Sequence, residues 1–290
     1  MPVAILLCEG NEQSPDIRIL KKLLGNTCLV QPHGSVRGLR ERVEFARILL
    51  KSEAVFAIRD RDFPKPGKWL LEDRDAVLLW ETYGSDSQTH HWGWTWARKE
   101  IENYLIDPAI VQKSLEVHSH KNTWDPKSFN LDDYQKELER VKDFLAPYQA
   151  ARIALAAAGK KPYLPTQFGK PRGHNNYHFP DNYDKTACEN QIRAIIQEHE
   201  QNAASANEVL ENFRQIFMEE CQSGKQRNLD YLYAFSGKDI LWGMVPWFAK
   251  TPFKNIARFQ EKILTGIERA ENSITLWCGE WNDLLTKVIQ

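Results

Sequence analysis

Glu9, Asp60 and Asp62 are the residues of this chain whose types and positions could do chemistry together. Glu9 ends the apolar run Val3-Ala4-Ile5-Leu6-Leu7-Cys8 and is followed by Gly10, while Asp60 and Asp62 flank Arg61 just beyond Ala54-Val55-Phe56-Ala57-Ile58. Runs of this length and composition predict buried parallel strands, whose C-terminal tips lie side by side on one edge of a sheet. In an open α/β sheet that edge is where ligands bind. Three carboxylates gathered there repel one another unless something positive sits among them, and a hard divalent cation such as Mg²⁺ or Mn²⁺ takes such oxygen ligands. The chemistry expected is metal-dependent and directed at phosphate.

The elements that must position these acids follow from pattern. Ser14-Pro15-Asp16 supplies a cap and a helix-starting proline, and Ile17, Leu20, Leu23 and Leu24 form an apolar stripe that ends near Gly25. Thr27 to Gln31 predicts a second strand, and Leu39, Val43, Ala46 and Leu50 mark one face of a helix from about Val36 to Lys51. This β-α-β-α-β order needs right-handed crossovers and brings both carboxylate strands to the same edge. A loop follows from Phe63 to Asp73, then strands at Asp75 to Tyr83 and Gly93 to Arg98 joined by the polar segment Gly84 to His91. Asp107-Pro108 opens a helix, and from there the periodicity is almost entirely helical. Leu131 to Leu145, Val209 to Phe217, Ile256 to Ile267 and Ile274 to Leu285 each keep the three-and-four spacing. The fold expected is α/β, a small parallel sheet flanked by helices in residues 1–106, with a large mostly α-helical second part in 107–290.

Composition sets the outer bounds. The chain has 290 residues, 42% hydrophobic and 27% charged, which excludes a disordered protein and leaves room for a sizeable core. Its net charge of −1 means that any nucleic-acid-binding charge must be local. The five cysteines are widely spaced, odd in number and without a CxxC pair, so they read as free thiols. With a strand starting close to Met1 and no apolar run near the length of a membrane span, a cytoplasmic protein without a signal peptide is expected.

Two later segments sharpen the reading. Arg98-Lys99-Glu100-Ile101-Glu102-Asn103-Tyr104-Leu105 and Phe235-Ser236-Gly237-Lys238-Asp239-Ile240-Leu241, taken with the Glu and the DxD at the strand ends, resemble the signatures of an OLD-like TOPRIM nuclease family with a helical body. The resemblance covers Val3 to Leu105 and Gly237 to Leu241. It implies a TOPRIM-like sheet and a Mg²⁺-dependent endonuclease hydrolysing phosphodiester bonds in DNA or RNA. Some relatives serve antiphage defence beside an ABC-type ATPase, so an ABC-type or AAA ATPase is the implied partner, with a homodimer as a further expected association.

Residue by residue, the resemblance implies Glu9 as first metal ligand or general base and Asp60 and Asp62 as metal ligands. Glu102 becomes a further carboxylate and metal ligand, Lys238 a cation facing charge on the phosphate, and Gly237-Leu241 a segment returning to the active site. Two ions about 3.5–4 Å apart could bind both attacking and leaving oxygens. Phe63 follows the DxD where some TOPRIM enzymes carry another acid, so both one-metal and two-metal sites stay open.

Each residue also has a plainer reading. Glu102 could pair with Arg98, or yield its role to Glu100. Lys238 could be a solvated lysine opening a helix near Asp239. His90-His91 lack partners at zinc spacing and read as a polar turn. Arg152, Lys160, Lys161, Lys170 and Arg172 lie in an acid-free stretch with Tyr163, Phe168, His174 and Tyr177, which fits either a nucleic-acid track or an exposed linker. No Gly-Lys pair is followed by Ser or Thr, so the phosphate-cradling loop of ATPases is absent. The alternative to a nuclease is a non-catalytic regulatory module that docks a partner through its helical body.

Overall fold

A computed structural model describes residues 2–34, 38–61, 78–83, 89–120, 125, 128–158, 184–198, 206–221 and 230–290. Asp62, the candidate phosphate-tracking residues Lys160, Lys161, Lys170 and Arg172, and most of the loops around them lie outside the described residues.

Five strands form one sheet in the order β2-β1-β3-β5-β4, where β1 is Ile5–Cys8, β2 Leu29–Pro32, β3 Val55–Arg59, β4 Leu78–Tyr83 and β5 Thr89–Thr95. The first four in that order run parallel, and β4 closes the edge antiparallel to β5. Helices α1 (Pro15–Leu24) and α2 (Leu39–Leu50) make the crossovers. The stripe expected on α1 is buried, with Ile17, Leu20 and Leu24 fully so. Leu7, Leu39, Val43, Val55, Ala57 and Trp92 join α2 to the sheet in one apolar cluster. An α/β fold with a small parallel sheet flanked by helices is therefore what the chain adopts.

The strand after the loop begins earlier than expected. His90 and His91 are not a turn: they pair with Thr82 and Glu81 in the β4/β5 ladder. Aromatic packing outweighs their polarity, because His91 lies 5.2 Å from the Phe56 ring and 5.5 Å from that of Trp94, and His90 stacks on Trp92 at 5.7 Å. Gly93, opposite Ala57 at φ +141°, allows β5 to close on β3, since a Cβ there would sit 1.8 Å from the Ala57 carbonyl oxygen.

The described residues fall into two compact units. Met1–Arg61, Asp73–Leu131 and Phe248–Gln290 make the first, and Asp132–Trp247 forms the body of the second. Where the sequence pattern divides the chain once, after residue 106, packing interleaves it. In the first unit the short helix α3 (Glu102–Leu105) leads to α4 (Pro108–His120), capped by Asp107, whose Oδ1 accepts the Ala109 N–H at 2.8 Å. In the second, α5 (Leu131–Ala157) runs twelve residues beyond Leu145, through Pro147, and is followed by α6 (Lys185–Glu198), α7 (Ala206–Gln215), α8 (Tyr231–Ala234) and α9 (Gly237–Gly243). Ser236 caps α9 by accepting the Asp239 N–H at 3.3 Å.

The first unit is completed by α10 (Ile256–Arg269) and α11 (Gly279–Ile289). The α10 and α4 helices pack antiparallel and close: a Cβ on Gly266 would lie 2.6 Å from the Ser114 carbonyl oxygen, and the His118 ring meets the Lys262 carbonyl at 2.8 Å. The single helix expected over Ile274–Leu285 is broken into a 3₁₀ turn, Ile274–Trp277, and α11. Cys278 is extended at the break, and its thiol donates to Glu280 at 2.5 Å within a buried cluster with Arg98.

Candidate metal centre

Glu9 is half-buried at the C-terminal tip of β1. The chain is fixed on both sides of it. The His33 N–H donates to the Cys8 carbonyl at 2.7 Å, and Gly10 and Gly34 exchange backbone hydrogen bonds of 3.3 and 2.8 Å. Gly10 holds φ +91°, and a Cβ there would fall 2.1 Å from Ser14 Oγ. Only glycine suits that position. The turn that follows is tied by Ser14 Oγ, which donates to the Asn11 carbonyl at 2.6 Å and accepts the Asn11 N–H at 3.0 Å, and it delivers Asp16 into the first turn of α1.

Asp60 is half-buried just past β3. Because β3 pairs with β1 as Ile58 with Cys8, the two acids emerge from neighbouring parallel strands at the same edge. Asp60 is held from the other side by the segment after β5. The Trp96 N–H donates to the Arg59 carbonyl at 3.0 Å, the Arg61 N–H donates to the Lys99 carbonyl at 2.9 Å, and the Arg61 guanidinium donates to the Ala97 carbonyl at 2.7 Å. Trp96 also donates from Nε1 to Asp16 at 3.4 Å, tying α1 to the same corner.

The thiol of Cys8 registers how many charges meet here. Burial pushes its pKa up, and the charges of Asp16, Glu9, Asp60 and Glu12, in that order, push it further. The acids that end β1 and β3 and that of the first turn of α1 thus lie within electrostatic reach of one thiol, while Glu12 is paired with Lys21. Asp16 and Glu12 were not singled out by sequence reasoning, which took Asp16 only as part of a helix start. Its signal is the spacing Glu9-x6-Asp16, which brings the first turn of α1 back over the strand tip.

Glu102 begins α3, three residues beyond Lys99, and is buried together with Arg98, Lys99, Glu100 and Asn103. Arg98 serves the architecture. Its guanidinium meets Asp107 at 2.7 Å and Glu280 at 2.9 Å, donates to the Asn103 carbonyl and lies 4.5 Å over the Tyr104 ring. Burial disfavours its charge, but Asp107 and Glu280 outweigh burial and leave its pKa above the ordinary arginine value. Lys238 is exposed in the first turn of α9, in the second unit. Its neighbour Asp239 is buried and takes Gln149 Nε2 at 2.8 Å and the guanidinium of Arg152. Arg152, also facing the Tyr148 ring, is therefore an internal counter-ion and not a surface cation tracking phosphate.

Among the described residues no group of three His, Cys, Asp or Glu side chains stands as a ready ligand set. Of the four carboxylates expected as ligands, Glu9 and Asp60 lie at the ends of β1 and β3, Glu102 is buried at the start of α3, and Asp62 lies outside the described residues. The donor chemistry of Glu9 and Asp60 fits a hard cation, since both offer carboxylate oxygens, and the neighbouring thiol, Cys8, has its pKa raised by burial and by the acids around it. The chain matches no protein-family model, and no curated protein is significantly similar to it.

Proposed function

We propose that this chain is a divalent-metal-dependent nuclease that hydrolyses phosphodiester bonds. The observation that carries the reading is the parallel pairing of β1 with β3, which brings Glu9 and Asp60 to the ends of neighbouring strands, one residue apart in register, at the carboxyl edge of the sheet. Glu9 and Asp60 would hold Mg²⁺ or Mn²⁺, joined by Asp62 and Glu102 as the family resemblance implies. When bound, the ion supplies a lowered pKa for attacking water and neutralises charge on the phosphate.

The chain's own part is to fix the carboxylates before substrate arrives. Gly10, clamped to Gly34, sets the direction of Glu9, and the pair of backbone bonds flanking Asp60 sets that of the aspartate. Asp16 adds negative potential, which raises the local concentration of cations, while the charge of Glu12 is offset by Lys21. Among the described residues no helix is long and apolar enough to cross a membrane. A cytoplasmic setting, with control by an ABC-type ATPase partner in antiphage defence, completes the proposal on the strength of the resemblance.

Incubation with plasmid DNA and with total RNA in Mn²⁺ tests it. Wild type is expected to cut one of the two and to stop when the metal is chelated; Glu9→Gln should lose at least about 100-fold in rate, a loss of about 2.7 kcal/mol in transition-state stabilisation, with an unchanged circular-dichroism melt. Full activity in a folded Glu9→Gln protein would overturn the reading.

A further inference from the structure

Arg258, Lys262, Thr265 and Arg269 follow one another at intervals of four, three and four along α10, which places them on one stripe of the helix. At 1.5 Å per residue the stripe extends about 16 Å. With His118 of α4 and Glu261 these residues line an open groove of ≈ 450 Å³ beside the α4/α10 seam. Arg269 also faces an adjoining cavity of ≈ 550 Å³, whose wall carries Lys113 and His120 together with Glu116 and Glu271 and so is mixed in charge, leaving the stripe itself as the cationic surface.

Glu261, the acid among the groove's lining residues, is already paired. Both oxygens of Glu261 take Arg18, at 2.6 and 3.0 Å, and Arg18 also takes Glu268 at 2.6 and 2.8 Å. Arg18 is largely enclosed, at 13% side-chain exposure, and bridges Glu261 and Glu268, so it offsets one of the two negative charges on this flank of α10. The cations on the stripe repel each other instead. Burial and then the charge of Arg269 lower the pKa of Lys262; burial lowers that of His118, and Lys262 and Arg269 press it down further against the Lys262 carbonyl contact. Positive groups held close in this way form a field that an anion relieves.

Small ligands are mostly enclosed by their pockets, whereas this groove is shallow and elongated, which suits a chain of phosphates.

We propose that the groove binds the sugar-phosphate backbone of the nucleic acid, with Arg258, Lys262 and Arg269 each meeting a phosphate. The proposal rests on the nuclease reading only in taking the bound strand as the substrate. Fluorescence anisotropy of the full chain in EDTA, with fluorescein-labelled DNA and RNA of one sequence and about 20 nucleotides long, measures this step without any metal. Wild type should bind at least one of the two, and whichever binds more tightly identifies the substrate.

The pair Lys262→Ala with Arg269→Ala should weaken binding at least tenfold. It should also flatten the slope of log affinity against log salt by about 1.4–1.8, two phosphate contacts at 0.7–0.9 each. Lys262→Arg with Arg269→Lys should restore both, and Lys136→Ala, an exposed cation of the second unit, should leave both within error. Should the alanine pair fail to fold, Thr265→Lys adds a cation to the stripe and should tighten binding with a steeper slope. No binding by wild type, or unchanged affinity and slope in the folded alanine pair or in Thr265→Lys, overturns the groove. Cleavage with unchanged binding would sink the groove alone; lost binding in the alanine pair, without Mn²⁺-dependent cleavage by wild type, would sink the nuclease reading and leave the groove standing.

Discussion

At the scale of single residues the candidate site turns on Gly10. Its φ of +91° and the 2.1 Å that would separate an added Cβ from Ser14 Oγ make two independent objections to any side chain. Gly10→Ala should cost about 1–3 kcal/mol of stability, the usual range for backbone strain at one residue. The chain can escape the strain only by moving the Gly10–Gly34 bridge, and Glu9 moves with it. Calorimetric titration with Mn²⁺ should then show affinity at least tenfold weaker than wild type. Equal Mn²⁺ affinity in a folded Gly10→Ala protein would show that Glu9 is not part of the metal site. That Glu9 and Asp60 fall just past strand ends is legible in the sequence because a strand end is a local event: an apolar run stops and an acid follows. The place of Arg152 is not, since it is set by Asp239, a partner 87 residues away.

Among the elements, strands and helices were read well where one face is apolar over several turns, as in α1 and α10, and poorly where a tertiary contact overrides the pattern. The β5 strand reaches back to Thr89 because histidine rings pack on Phe56 and Trp92, and the helix expected over Ile274–Leu285 breaks where Cys278 and Glu280 turn toward Arg98. The antiparallel pairing of α4 with α10 belongs to the same class: a glycine inside a helix looks like a defect until its neighbour is known. Helix propensity alone would favour Gly266→Ala by about 1 kcal/mol. Overpacking against Ser114, whose backbone would lie 2.6 to 2.8 Å from the new methyl, should outweigh that gain and leave a net loss of about 1–2 kcal/mol. Gly279→Ala, where no atom lies within 4 Å of the new methyl, is the matched control and should be neutral or slightly stabilising. Urea melts of the two variants measure both; a stabilised Gly266→Ala would mean that the two helices do not meet at Ser114.

Over the whole molecule, the order of elements along the chain does not give the order of packing. The last forty or so residues return to the unit that holds the sheet, with Val3 donating to the Val288 carbonyl at 3.0 Å and Arg18 bound to Glu261 and Glu268. Local periodicity carries no information about such returns. What it does carry is how deeply apolar-flanked groups are sunk, and the cysteines report that depth from both units. Cys8, Cys28, Cys188 and Cys278 are all buried thiols outside any disulfide. Burial pushes Cys28 from 9.0 up to about 11, and Cys188 and Cys278 to about 12, while Cys8 is raised further by the acids around it.

The sign of the linkage follows from these directions. Each thiol keeps its proton longer in the folded chain than in the unfolded one, so its contribution to stability is complete below about pH 8.5, the ordinary thiol pKa. It is lost as pH rises through the folded values near 11 and 12, because over that window the unfolded chain releases protons that the native chain still holds. The melting temperature should therefore be level between pH 7 and 8.5 and fall steadily above pH 9. Lysine and tyrosine also titrate at high pH, so the thiols need a readout of their own. Labelling with a thiol-reactive disulfide at pH 8, followed by peptide mass spectrometry, should find Cys8, Cys28, Cys188 and Cys278 at least about 100-fold slower in the native protein than in urea, since only the thiolate reacts. Native labelling of any of the four at the rate of a free thiol would show that its side chain is not enclosed, and for Cys8 it would remove the acidic corner from which the metal centre is argued.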